Sequence, residues 1–186
     1  MRLTVPTLLT LFRIVLIPVF VIVIYLPVTW SFVAAAWIFL IAGVTDWFDG
    51  YLARVLQQES AFGAFLDPVA DKLMVVVAIL VLIEAHPHVW MTIPSMIIIS
   101  RELTVSALRE WMAELGSRTA VKVSFVGKAK TTAQMKSITL MIYQQPLFDL
   151  PTFQIGLLLY YVAAALTLYS MAIYLRAAWP IMRKNG

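Results

Sequence analysis

The chain of 186 residues is 62% hydrophobic and only 13% charged, and its mean hydropathy is +0.89. Soluble domains average about 25% charged residues, so this composition leaves too few polar side chains to cover a water-exposed surface. It excludes a soluble globular domain and predicts an all-α integral membrane protein. The chain contains no cysteine, which excludes a disulfide framework, a thiolate metal site and a cysteine nucleophile.

Two helices are predicted in the first third of the chain. No charged residue lies between Arg13 and Asp46, an interval too long for one membrane span, and Pro27 favours a turn within it. The first helix is expected over about residues 5–25 and to be retained, because its apolar run lacks the small-residue site of a cleaved signal peptide. The second is expected over about residues 31–56, long enough to emerge from the bilayer at its charged end.

Four further helices are predicted in the rest of the chain. The third is expected over about residues 61–85 and the fourth over about residues 89–115, with Gly116 as its C-terminal cap. Residues 116–130 form a polar connection with four basic residues, after which a fifth helix runs to about Gln145. A sixth is expected over about residues 153–178. The prediction is therefore a bundle of six transmembrane helices that forms one domain over residues 1–186.

Lysine and arginine are unequally distributed between the two ends of these helices. The turns near Pro27, at residues 86–88 and at residues 144–152 contain neither residue type. Because basic residues favour the cytoplasmic side, both termini are predicted to be cytoplasmic. The basic residues on that side are Arg2, Arg13, Arg54, Arg118, Lys122, Lys128, Lys130, Arg183 and Lys184.

Four aspartates are concentrated near the predicted cytoplasmic ends of the second and third helices. Asp46 and Asp49 are three residues apart, and Asp67 and Asp71 are four apart, so each pair lies on one helix face. The short link between the helices brings these faces together. One unpaired aspartate at the centre of a membrane helix costs about 3 kcal/mol, so a cluster needs neutralisation.

A bound divalent cation is the predicted source of that neutralisation. Arg54 and Lys72 alone supply two positive charges against four negative ones. Oxygen-only ligands favour a hard ion such as Mg²⁺ or Mn²⁺, and His86 and His88 lie at the opposite face of the membrane. Gly50, Ala53 and Gly63 remove side-chain bulk near the aspartates, although small residues also serve close helix packing.

Written with its spacings, the segment from Asp46 to Asp71 reads D-x2-D-G-x2-A-R-x8-G-x3-D-x3-D. This pattern resembles the signature of the CDP-alcohol phosphatidyltransferases at every fixed position. The resemblance implies transfer of a phosphatidyl group from CDP-diacylglycerol to an alcohol, with release of CMP. Segments along the whole chain, such as PTLLTLFR, SALREWMAELG and GKAKTTAQM, are similar to the family members whose acceptor is sn-glycerol 3-phosphate, and this wider similarity implies the same acceptor. It also implies two metal ions, a homodimer in the lipid bilayer and no nucleic-acid partner.

The same resemblance implies roles for individual residues. Asp46, Asp49 and Asp67 match metal ligands, and Asp71 matches both a ligand and the general base that takes the proton of the glycerol hydroxyl. The CDP-diacylglycerol site is matched by Asp49, Gly50, Arg54, Gly63 and Asp67. A metal bridging the carboxylates and the diphosphate would also stabilise the leaving CMP.

The anionic acceptor requires a basic site, for which the fourth and fifth helices provide candidates. Arg101 and Arg109 are eight residues apart, about 80° around a helix, so they can border one pocket. Lys128 and Lys130 complete the predicted glycerol 3-phosphate site. The alternative is that Arg109 pairs with Glu102 or Glu114 and that the lysines contact lipid headgroups.

Several interpretations stay open at this point. Arg13 borders the active site or extends to lipid headgroups, and the second is favoured. The donor site alone does not determine the acceptor alcohol, so serine, inositol phosphate or another molecule stays an alternative to glycerol 3-phosphate. A membrane transporter also places carboxylates inside a helical bundle. Transport is disfavoured because nearly all acidic residues are assigned to one half of the membrane.

Overall fold

The computed structural model describes residues 5–56, 61–115, 125–147 and 149–185, and six α-helices account for most of them. The all-α prediction is therefore confirmed for the described part of the chain. The helices, in chain order, are α1 (Val5–Ile24), α2 (Ser31–Leu56), α3 (Ala61–Ala85), α4 (Val89–Glu114), α5 (Phe125–Tyr143) and α6 (Thr152–Asn185).

The predicted bounds are accurate for α1 to α4 and wrong for one end of α5 and of α6. α5 begins at Phe125, within the segment interpreted as a polar connection, because lysine is a good helix former. α6 continues to Asn185, through Pro180, although the prediction ended it near Ala178. Pro180 cannot donate to the carbonyl oxygen of Arg176, and its ring crowds that carbonyl, yet α6 continues past it. The predicted cap Gly116 lies outside the described residues.

Three of the described helices are long and apolar enough to cross a membrane: residues 7–24, 89–114 and 152–183. A shorter apolar stretch covers Ser31–Asp46 in α2. The membrane character predicted from composition is consistent with these segments. Six crossings and cytoplasmic termini stay predictions.

The helices pack around one large apolar core, to which all six contribute. α6 approaches α5 closely at Gly156, where an added Cβ would lie 3.0 Å from the backbone oxygen of Ser137. α2 approaches α5 at Gly43, where a Cβ would meet the side chain of Met135. A second, smaller cluster joins α4 and α6 through Val105, Leu108, Met112, Tyr174 and Ala178.

Short turns join consecutive helices at one end of the bundle. Tyr25, after α1, donates a hydrogen bond to Glu84 near the end of α3, and the ring of His86 lies 4.5 Å from that of Phe153 at the start of α6. The beginnings of α1 and α3 meet at the other end, where Thr10 donates to Asp67. The histidines and the aspartates therefore occupy opposite ends of the bundle, as predicted.

Candidate active site

Polar side chains of α1 hold two of the four aspartates. Arg13 donates from Nη1 to Oδ1 of Asp46 at 2.6 Å, and Thr10 donates to Oδ1 of Asp67. Thr10 and Arg13 are three residues apart, so they share the face of α1 that packs on α2 and α3. Arg13 is only 1% exposed. The favoured prediction that Arg13 extends to lipid headgroups is wrong, because the nearby carboxylate provides its buried partner.

Asp71 lies at the junction of two cavities. Its side chain is exposed to them, and it interacts electrostatically with Asp46 and Glu102 as well as with Arg13 and Lys72. Besides Asp71, only Thr131 and Met135 of α5 line both cavities among the described residues. A group bound in one cavity can therefore meet a group bound in the other beside this carboxylate.

The first cavity, here called the polar cavity, has a volume of about 810 Å³ and lies between α3, α4 and α5. Its charged and amide side chains come from all three helices and include three cations, Lys72, Arg101 and Arg109, beside three carboxylates. Apolar side chains such as Phe65 and Val105 complete the wall. The polar lining residues are Asp71, Lys72, Arg101, Glu102, Ser106, Arg109, Glu110, Thr131 and Gln134.

The two predicted arginines of α4 line this cavity together and share one aromatic support. The guanidinium carbon of Arg101 lies 5.5 Å from the centroid of the Tyr174 ring, and that of Arg109 lies 5.3 Å from it. Arg109 also donates to the Tyr174 hydroxyl at 3.1 Å, and Arg101 donates to Ser170 at 3.1 Å. Ser170 and Tyr174 are one turn apart on α6, so this helix orients both cations.

Lys130 has a different position from the one predicted. Its side chain is 1% exposed and donates to Glu102, and it is not among the described residues that line the polar cavity. Glu102 also lies 3.7 Å from Arg101, so a carboxylate links the two cations.

Lys72 donates to Ser106 across the α3–α4 contact and lines the cavity. The alternative prediction was that Arg109 pairs with Glu102 or Glu114. In the structure, Arg109 donates a hydrogen bond to Tyr174 instead.

The second cavity, here called the apolar groove, has a volume of about 630 Å³ and is formed by α2, α3, α5 and α6. Apolar atoms make up most of its exposed surface, although Asp46, Asp71, Lys136 and three threonines also line it. The Asp46 side chain is 45% exposed despite its ion pair with Arg13. Gly43 leaves room in the wall formed by α2. The apolar lining residues are Leu40, Gly43, Val44, Met135, Leu140 and Leu159.

Four predicted site residues lie outside the described side chains. They are Asp49, Gly50 and Arg54, in the part of α2 described only as a helix, and Lys128 in α5. Gly63 is buried near the start of α3. Within the described side chains, no three acidic or histidine residues are grouped around one point that a metal ion could occupy. The metal-ligand roles of Asp46, Asp49, Asp67 and Asp71 stay predictions.

Sequence reasoning missed several neutral residues of this region. Thr10, Gln134 and Tyr174 were not singled out, although each is at most 3% exposed and lies against a charged residue or the polar cavity. The available signal was the spacing of polar residues on otherwise apolar helices, such as Thr7 and Thr10 in α1, or Thr167, Ser170 and Tyr174 in α6. Polar residues buried at helical spacing indicate an internal site.

The chain belongs to the CDP-alcohol phosphatidyltransferase family, whose model matches residues 3–173. The family inferred from the aspartate signature is thereby confirmed. Three curated relatives are each 54% identical to the chain over 178 residues, which is 96% of this chain and 96% of each relative. They are the CDP-diacylglycerol–glycerol-3-phosphate 3-phosphatidyltransferases of Shigella flexneri serotype 5b, Shigella boydii serotype 4 and Escherichia coli K12.

Proposed function

We propose that the protein is an enzyme that transfers the phosphatidyl group of CDP-diacylglycerol to sn-glycerol 3-phosphate, forming phosphatidylglycerophosphate and CMP. This is the activity named for relatives that are 54% identical over almost the whole chain. In the cell it serves phospholipid biosynthesis. Residues 1–186 act as one catalytic membrane domain.

The observation that carries the proposal is the position of Asp71 between the polar cavity, which Arg101 and Arg109 line, and the apolar groove. A water-soluble phosphate needs cationic donors, which Arg101 and Arg109 provide on one side of this carboxylate. A diacylglycerol moiety needs apolar surface, which the groove provides on the other side. The two substrates are then adjacent where a base is available.

In the proposed reaction, the 1-hydroxyl of glycerol 3-phosphate donates its proton to a carboxylate oxygen of Asp71. The hydroxyl oxygen forms a bond to the phosphorus that carries diacylglycerol, and the bond between that phosphorus and the CMP oxygen breaks. Arg101 and Arg109 hold the phosphate of the acceptor, and Tyr174 and Ser170 hold the arginines in place.

The proposal includes divalent metal binding by the aspartates. The carboxylates of Asp46 and Asp71 border the same groove, and their oxygens are the donors that Mg²⁺ and Mn²⁺ prefer. They fit such an ion as two of its ligands, with Asp49 and Asp67 as further candidates. Two bound ions would neutralise the diphosphate and stabilise the departing CMP. Gly50, Arg54 and Gly63 accommodate the cytidine nucleotide, as the family signature implies.

Further parts of the proposal concern the acceptor site and the cellular setting. Lys128 and Lys130 contribute positive charge beside the arginines, and Lys130 acts from its buried position next to Glu102. The protein is a homodimer of the bacterial cytoplasmic membrane, with both termini and the active site on the cytoplasmic side. This orientation follows from the unequal distribution of lysine and arginine.

The experiment that tests the reaction offers purified protein CDP-diacylglycerol with Mg²⁺ and one acceptor at a time. Release of CMP is measured with glycerol 3-phosphate, serine and inositol phosphate. Of the three acceptors, we expect only glycerol 3-phosphate to give release, with none in EDTA and with a rate lowered by about 10² to 10⁴ in the Asp71→Asn variant. Release with another acceptor only would assign the protein to a different reaction of the family. If none of the three acceptors supports CMP release, the result would favour a carboxylate-lined transporter instead.

A further inference from the structure

Gln134 of α5 lines the polar cavity without a role in the reaction described so far. Its side chain is 3% exposed, and its Oε1 is buried without a hydrogen-bond partner among the described residues. The cations that line the same cavity, Lys72, Arg101 and Arg109, each donate to a protein oxygen. Arg101 Nε is also buried without a partner among the described residues, but it is a donor, whereas Gln134 Oε1 is an acceptor. A buried amide oxygen without a partner is destabilising, so its retention in a cavity indicates a ligand that completes it.

The chemistry of an amide oxygen restricts what that ligand group is. Guanidinium and ammonium groups only donate, which matches a phosphate, since a dianionic phosphate only accepts. An amide oxygen needs a donor, and a phosphate has none to offer. An alcohol hydroxyl has one. A hydroxyl also satisfies the amide in either orientation of its oxygen and nitrogen, because it both donates and accepts.

Glycerol 3-phosphate has two hydroxyls, and the proposed reaction uses one. The 1-hydroxyl gives its proton to Asp71, and the phosphate lies at Arg101 and Arg109. The secondary hydroxyl between them then lies in the same cavity with no protein acceptor assigned to it. We propose that Gln134 binds this secondary hydroxyl and thereby selects acceptors with a hydroxyl next to the reacting carbon. This inference rests on the proposed function and specifies how its site recognises the acceptor.

Such a site discriminates against an acceptor that lacks the secondary hydroxyl, because the buried amide is then left unpaired. 3-Hydroxypropyl phosphate keeps both the reacting hydroxyl and the phosphate and lacks only that group. For the unaltered protein we expect its kcat/KM to be about 10- to 100-fold below that of glycerol 3-phosphate, the usual range for one buried hydrogen bond. Equal kcat/KM values for the two acceptors would overturn the proposal without any variant.

The matching variant is Gln134→Met, which keeps the length of the side chain and removes its hydrogen bonding. It should lower kcat/KM for glycerol 3-phosphate by about 10- to 100-fold and change that for 3-hydroxypropyl phosphate by less than about threefold. The control is Ile138→Val, on the same helix, buried, and lining neither cavity. The control should preserve the discrimination of the unaltered protein.

The possible results separate the inference from the proposed function. An equal loss for both acceptors in Gln134→Met would assign the residue to packing and overturn the inference. A variant whose fold is disturbed shows a lowered thermal unfolding midpoint and a raised KM for CDP-diacylglycerol, and a variant that fails to fold shows no activity. In both cases the comparison of the two acceptors with the unaltered protein decides. Failure of the proposed function is a different result, since the unaltered protein would then release no CMP with glycerol 3-phosphate.

Discussion

Tyr174 supports both arginines of the polar cavity, and its replacement tests whether their positions matter for acceptor binding. Its ring lies about equally far from both guanidinium groups, and its hydroxyl accepts from Arg109 at 3.1 Å. Tyr174→Phe removes only the hydroxyl. The loss of one hydrogen bond that orients a cation is expected to cost about 1 kcal/mol, which raises KM for glycerol 3-phosphate about fivefold.

Tyr174→Leu removes the ring as well. Two cation–π contacts at about 0.5 to 1 kcal/mol each, added to the hydrogen bond, give about 2 to 3 kcal/mol. The KM for glycerol 3-phosphate should then rise about 30- to 140-fold. The KM for CDP-diacylglycerol should stay unchanged, because Tyr174 lies in the small α4–α6 cluster and not on the apolar groove. CMP release at varied concentrations of each substrate measures both constants.

A matched control is Tyr160→Phe, because Tyr160 is also buried on α6 and its hydroxyl is also hydrogen-bonded, to Ser95 at 2.9 Å. It lines neither cavity, so its loss should lower the thermal unfolding midpoint without changing either KM. The reasoning would be refuted if Tyr174→Leu folds and leaves the KM for glycerol 3-phosphate unchanged. An equal rise in both KM values would instead indicate a general distortion of the bundle.

Three further predictions concern the arginines, the carboxylates and the orientation. Arg101→Ala and Arg109→Ala should each raise the KM for glycerol 3-phosphate about 10- to 150-fold, with little change in the KM for CDP-diacylglycerol. If both KM values are unchanged, the phosphate of the acceptor binds elsewhere. Asp71→Asn should lower kcat by about 10² to 10⁴ and keep its Mg²⁺ requirement, whereas Asp67→Asn should need more Mg²⁺; recovery of Asp71→Asn at high Mg²⁺ would contradict the role of base. Because the chain lacks cysteine, His88→Cys should react with an impermeant maleimide in intact spheroplasts and Asn185→Cys only after permeabilisation.

The sequence was sufficient for most of the fold because apolar runs and turn residues mark the ends of membrane helices. The ends of α1 to α4 follow from Pro27, from the HPH turn at residues 86–88 and from the charged ends of α2 and α4. The sequence was insufficient for the start of α5 at Phe125 and for the end of α6 beyond Ala178. The basic residues near Phe125 were interpreted as part of a polar connection, although lysine and arginine also extend helices outside the apolar core of the membrane.

The charged part of the site was also predictable, for a physical reason. Asp46, Asp71, Arg101 and Arg109 are conspicuous in an apolar chain because burying an unpaired charge is costly, so each one requires an explanation. The neutral residues are not conspicuous in this way. Gln134 and Tyr174 gain their significance from tertiary packing, which places an amide on the cavity wall and an aromatic ring beneath two cations. Spacing along one helix carries no information about such neighbours.

The junction of the two cavities provides an argument for the base that is independent of the family signature. A phosphate acceptor and a lipid donor prefer different surroundings, so their reacting atoms meet where the polar cavity and the apolar groove share a wall. Only Asp71, Thr131 and Met135 line both among the described residues. Methionine cannot take a proton, and the Thr131 hydroxyl already donates to the Gly127 carbonyl oxygen at 2.9 Å. Asp71 is the one group of the three that has a basic oxygen for the attacking hydroxyl, which supports its proposed role.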